Sequence, residues 1–125
     1  MGMRVLLTLS GVLAVVVALA LLLATKSFFA GQGIVLDDQL ALIGMAQGSV
    51  LLGVGVTNLA ALWSRDPAGL RSVVVGNLAA HLSALGVNAH AVSAGLVGTQ
   101  VWMDVTLHVI LGLAFAYYLV RPPAG

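Results

Sequence analysis

Apolar residues fill the chain in four long runs, at about residues 5–24, 39–63, 67–89 and 99–120, separated by short polar or glycine-bearing breaks. About 20 helical residues rise about 30 Å, the thickness of a bilayer's hydrocarbon core. In that medium each backbone N–H and C=O must be bonded within its own segment, so each run is expected as a helix. Short connectors set sequential neighbours antiparallel. The pattern predicts an all-α, four-helix transmembrane bundle with antiparallel up-down neighbours, a single integral membrane domain over residues 1–125.

The breaks carry recognisable signals. The chain opens Met-Gly-Met-Arg, like the positive end of a signal peptide, but the apolar run that follows is longer than a signal core and reads as a first span. It holds no polar side chain deeper than Thr8 and Ser10, so it is expected to face lipid widely. In the connector 25–38, Phe28 and Phe29 suit the membrane interface and Gly31 and Gly33 break the helix. Asp37 and Asp38 then offer an N-cap, or more weakly a cation site. Asp66-Pro67 is a strong helix start, with Asp as cap and Pro in the first turn. The uncharged stretch 88–98 is compatible with a loop, a frayed helix end or an interfacial segment, and Pro122 and Pro123 stop the fourth span.

Two sets of positions stand out within the runs. Glycines concentrate in the second span, where Gly44 and Gly48, and Ser49 and Gly53, form small-xxx-small pairs beside Gly55. Such pairs let helices approach closely where lipid supplies no hydrophobic drive. Gly76 and Gly112 are placed with these as packing positions. The second set is polar. Asn77 and His81 are four apart, as are Asp104 and His108, so each pair shares one helix face. A polar stripe against lipid is costly, and both stripes are expected to face protein. Turning the third and fourth spans about Ala94 and Gly95 puts His81 level with His108 and Asn77 level with Gly112. Turning the second and third about Arg65 puts His81 level with Ser49 and Asn77 level with Gly53. An intramembrane polar layer of Ser49, Asn77, His81, Asp104 and His108 results. Gln47 and Asn58 are expected to bond to neighbouring helices.

Composition agrees with the pattern. The chain has 125 residues, 61% of them hydrophobic and 7% charged, against about 25% charged in a soluble domain. Five basic and four acidic side chains leave a net charge of +1 and no basic field for nucleic acid. There is no cysteine, which removes disulfides and zinc–thiolate sites. With four spans, Arg4, Arg65, Arg71 and Arg121 share one side and Lys26 stands on the other, beside Asp37 and Asp38. The positive-inside rule then places both termini in the cytoplasm.

These features support a non-catalytic accessory or structural subunit, acting through helix packing with itself or in a larger membrane complex. The alternatives use the polar layer. His81 and His108 are candidate axial ligands for b-type haem, although closely packed helices about 8–10 Å apart leave little room for a macrocycle. His81, Asp104 and His108 form a two-His, one-carboxylate metal set without further oxygen ligands. The same groups also suit a proton or small-ligand path. No cofactor is favoured. No G-x-S-x-G elbow is present, and Gly53-Val54-Gly55 continues to Asn58 rather than glycine, so neither a hydrolase nor a dinucleotide motif is found. His90 lies outside the layer.

The Gly-rich segment Gly44-Met45-Ala46-Gln47-Gly48-Ser49, the first hydrophobic span and the short Arg-containing turn before the third resemble the layout of small bacterial four-helix membrane proteins of the DoxX-like kind. The resemblance covers most of the chain and implies a fold, not a reaction. His81 and Asp104-x-x-x-His108 have no place in that layout.

Overall fold

A computed structural model describes residues 2–97 and 101–121. They form four long helices, α1 (Met3–Ala30), α2 (Asp38–Ala60), α3 (Pro67–Ser93) and α4 (Val101–Val120), with a 3-10 turn, Ala61–Trp63, ending α2. Each helix is long and apolar enough to cross a membrane. Thr99, Pro122 and Pro123 lie outside the described residues.

The helix ends follow local chemistry. The first span runs past residue 24 to Ala30, with a kink at Ala24 (φ −144°, ψ 38°). Phe28 and Phe29, read as connector, therefore lie in the last turns of α1, edge to face with centroids 5.6 Å apart. Gly33 at φ 77° then turns the chain, a conformation that favours glycine. Asp37 caps α2, its carboxylate accepting the Leu40 N–H at 2.8 Å. Asp38 instead pairs with Lys26 at 2.5 Å, so this acidic pair serves a cap and an ion pair. Asp66 accepts the N–H groups of Ala68 and Gly69 at the start of α3. That helix continues through most of 88–98 and ends at Ser93, with Gly95 at φ 66° beyond it.

The helices pack as two antiparallel pairs. In the first, α1 buries Leu7, Gly11, Ala14, Ala18, Leu21 and Thr25, alternating four and three residues apart as in a left-handed helix seam. The opposing face of α2 buries Ala41, Gly44, Gly48, Gly55 and Asn58. The first span thus combines a fully packed stripe with a lipid-compatible back that exposes Val5, Leu9, Val12, Val16 and Leu23. Glycine makes this approach possible. A Cβ on Gly48 would stand 2.9 Å from Leu21 Cβ and 3.1 Å from the Ala18 carbonyl oxygen. One on Gly55 would stand 2.7 Å from Val15 Cγ2 and 3.0 Å from the Gly11 carbonyl oxygen. One on Gly44 would meet Thr25 and Phe29.

The second pair, α3 with α4, joins the first mainly at one end. There Leu6 and Leu7 of α1, Ala61 of the 3-10 turn, Val74 of α3 and Phe115 of α4 form a single buried cluster. Away from it α2 and α3 separate. A cleft of about 470 Å³ opens between them, lined by Gly53, Val54, Thr57, Asn58, Ser72, Val73, Gly76 and Asn77. Gly53 and Gly76, grouped by sequence with the packing glycines, border this space, and a Cβ at either would meet nothing within 4 Å. The architecture is two hairpins closed at one end rather than one evenly packed bundle.

Candidate functional site

Two polar clusters stand out, one where the hairpins meet and one within the α3–α4 hairpin. The first is built around Asn58, which has no exposed surface. Its Nδ2 donates to Asn77 Oδ1 at 2.9 Å and to Ser10 Oγ at 3.1 Å. Asn77 Nδ2 donates back to Asn58 Oδ1 at 2.6 Å and to the Val73 carbonyl at 2.8 Å. Both protons of each amide are used, which is the condition for burying such a group away from water. The cluster ties α1, α2 and α3 together at one level.

The second cluster begins one turn along α3, away from the closed end. His81, about nine-tenths buried, places its Nδ1 2.8 Å from His108 Nδ1 on α4. On the other side of the His108 ring, Nε2 lies 3.4 Å from Asp104 Oδ1. The second Asp104 oxygen accepts the Asn88 amide at 2.6 Å. His81 also stacks on Phe115, with centroids 5.7 Å apart and planes 23° apart. The result is a chain of contacts, Asn88–Asp104–His108–His81, running from a half-exposed carboxylate to a buried ring. Gly112 of α4 lies against His81, and a Cβ there would sit 3.6 Å from His81 Cβ, an ordinary contact that does not itself demand glycine.

Of the layer expected from sequence, the structure gathers His81, Asp104 and His108 into this chain and puts Asn77 in the neighbouring amide cluster. Ser49 lies apart. It is exposed, and its hydroxyl donates to the Met45 carbonyl of its own helix at 3.2 Å. The level set by a turn about Arg65 is displaced, because Asn77 faces Asn58 rather than Gly53 and the hairpins diverge beyond that point. Two participants were not foreseen. Asn88 continues the 74, 77, 81 seam of α3 at its 3-4 spacing, a signal present in the sequence. Ser10 carried only the hint of being a hydroxyl well inside an apolar run.

The geometry also bears on the cofactor readings. Two imidazole nitrogens in direct contact leave no position for an iron between them, so the rings as placed do not fit axial haem ligation. With His108 engaged through both nitrogens, His81, Asp104 and His108 do not converge on one point. Among the described residues no group of three or more His, Cys, Asp or Glu side chains is disposed to hold a metal.

No family model, curated protein or solved structure matches this chain. Its class rests on its own features: an all-helical protein of four potential membrane spans, with a polar chain inside one hairpin.

Proposed function

We propose that the protein is a small multi-pass component of a bacterial inner membrane, with both termini cytoplasmic, that works without catalysis by packing against a membrane helix of a second copy or of a larger complex. The observation that carries this reading is the cleft between α2 and α3. It is lined by small residues, Gly53, Gly76, Ser72 and Thr57, and it opens between two apolar helices. Small side chains at such a surface permit close approach of a further helix, the main source of association energy in lipid. The cytoplasmic placement is supported by Arg4, Arg65, Arg71 and Arg121 standing at the closed end of the hairpins, against Lys26 at the other.

Native mass spectrometry of the protein extracted in lipid nanodiscs tests the reading. The wild type is expected to run as an assembly larger than one chain. Gly76→Leu, which projects into open space and should leave the fold intact, is expected to reduce the assembled fraction severalfold with thermal unfolding unchanged. A monomeric wild type, or an assembly indifferent to Gly76→Leu, overturns it.

A further inference from the structure

The Asp104–His108–His81 chain stands apart from the cleft, none of its three residues lining it. We propose that it is a one-sided proton well, which carries a proton from the membrane rim to the middle of α3 and there stops it. Asp104 lies in the first turn of α4, half exposed. His81 lies near the midpoint of α3. The 2.8 Å contact between the two Nδ1 atoms demands one proton between them, since neither two N–H groups nor two bare nitrogens can face each other at that distance. His108 thus meets His81 through Nδ1 in a hydrogen bond, and its Nε2 faces Asp104 Oδ1 at 3.4 Å, a gap that must shorten for a proton to cross. Both ring nitrogens address a neighbour, as in a proton shuttle.

In the receptive state Asp104 is a carboxylate. His108 is neutral with its proton on Nδ1, donated to the bare Nδ1 of His81, and His81 carries its proton on Nε2. A proton taken up by Asp104 passes to His108 Nε2. His108 releases its Nδ1 proton to His81 Nδ1. Asp104 is again a carboxylate, His108 is neutral with its proton on Nε2, and His81 is an imidazolium. One proton has moved inward, and the reverse steps return it.

The path ends at His81. One turn further, both amide protons of Asn77 are committed and amides do not titrate in this range. Phe115 covers one face of the His81 ring, and Leu6, Leu7 and Val74 share a buried cluster with Phe115. Among the described residues, the polar groups in contact with this pair are Asp104 from α4 and, hydrogen-bonded to it, Asn88 from α3. From α1 and α2, Ser10 and Asn58 stand in the amide cluster of Asn77, one turn from His81, and neither is charged. The charged residues of those helices and their connectors, Arg4, Lys26, Asp37, Asp38, Arg65 and Asp66, stand towards the helix ends.

The test uses full-length protein with 15N-labelled histidine in lipid. A scalar coupling across the His81–His108 hydrogen bond is expected. The two rings should change protonation in linked steps, and Asp104→Asn should displace those steps. In sealed vesicles with the Asn88–Asp104 end outward, an external acid step should alter the histidine infrared bands, while lumenal pyranine acidifies no faster than in empty vesicles. Histidines that titrate independently, a titration unmoved by Asp104→Asn, or protein-dependent acidification of the lumen each overturn the proposal.

Discussion

The two hairpins of this protein hold together by different physics. In α1–α2 the seam is made of glycine, alanine and aliphatic side chains, and the backbones come close enough that a single methyl group would collide. In α3–α4 the apolar cluster of Val74 and Phe115 is joined by contacts of another kind, His81 with His108, Asn88 with Asp104, and Phe115 stacked on His81. With the four helices in lipid, as proposed, neither pair is driven by burial of apolar surface, because lipid is as apolar as leucine. The first uses dispersion at close range and the second uses polar and aromatic contacts. The first should therefore tolerate no added volume, and the second should tolerate volume better than loss of polarity.

The sharpest way to break the comparison is to add volume on the first seam. Gly48→Leu pushes a side chain into Leu21 and the Ala18 carbonyl, where main chain cannot step aside. We expect a loss of about 3 kcal/mol, at the upper end of the usual cost of overpacking. Gly53→Leu, on the same helix but facing open space, should cost close to nothing. Reversible unfolding in bicelles titrated with SDS measures both. Similar losses for the two substitutions would mean that helix propensity or insertion, not close packing, sets the stability.

A smaller effect is expected where the hairpins meet. Asn58→Leu removes the partner of Ser10 and of both polar atoms of the Asn77 amide that face it. Hydrogen bonds between membrane helices average about 0.6 kcal/mol and reach about 1.7, so a loss of about 1–2 kcal/mol is expected. Asn58→Leu with Asn77→Leu should cost less than the sum of the single changes, because each single change strands the partner amide and the double variant strands neither. Strict additivity in the same unfolding assay would show that the amide pair contributes nothing as a pair.

The contrast also explains which parts were legible in the sequence. Four apolar runs and the medium they imply leave helix as the only outcome, so the elements are readable from composition and length. The i, i+4 spacing places Asp104 and His108 on one face, and counting residues about Ala94 and Gly95 puts His81 at their level. What the sequence withheld is how far the hairpins diverge. Glycines at 44, 48, 53 and 55 look alike in a string, yet Gly44, Gly48 and Gly55 touch α1 while Gly53 borders a cleft. That distinction depends on which side of α2 each neighbour occupies, a property of the whole arrangement. Ser49 failed to join the layer for the same reason, since the level computed from a turn is meaningful only where two helices stay together.

The smallest expected effect lies in the polar chain itself. Asp104→Asn and His108→Gln each keep a side chain of similar size and some capacity to hydrogen bond, so each should destabilise the protein by less than about 1 kcal/mol. The informative quantity is their coupling. Asp104 and His108 are separated by 3.4 Å, a loose contact, whereas His108 and His81 are 2.8 Å apart. The double-mutant cycle of His81→Gln with His108→Gln should therefore give the larger interaction, about 0.5 kcal/mol or more. The cycle of Asp104→Asn with His108→Gln should give a smaller one, because Asp104 keeps its shorter bond from Asn88 whichever ring it faces. Both cycles are read by the bicelle unfolding assay at a fixed pH, so that protonation does not change between arms. If the Asp104 cycle exceeds the His81 cycle, the ion pair rather than the ring contact holds α4 to α3, and the second hairpin is better described by charge than by hydrogen bonding and stacking.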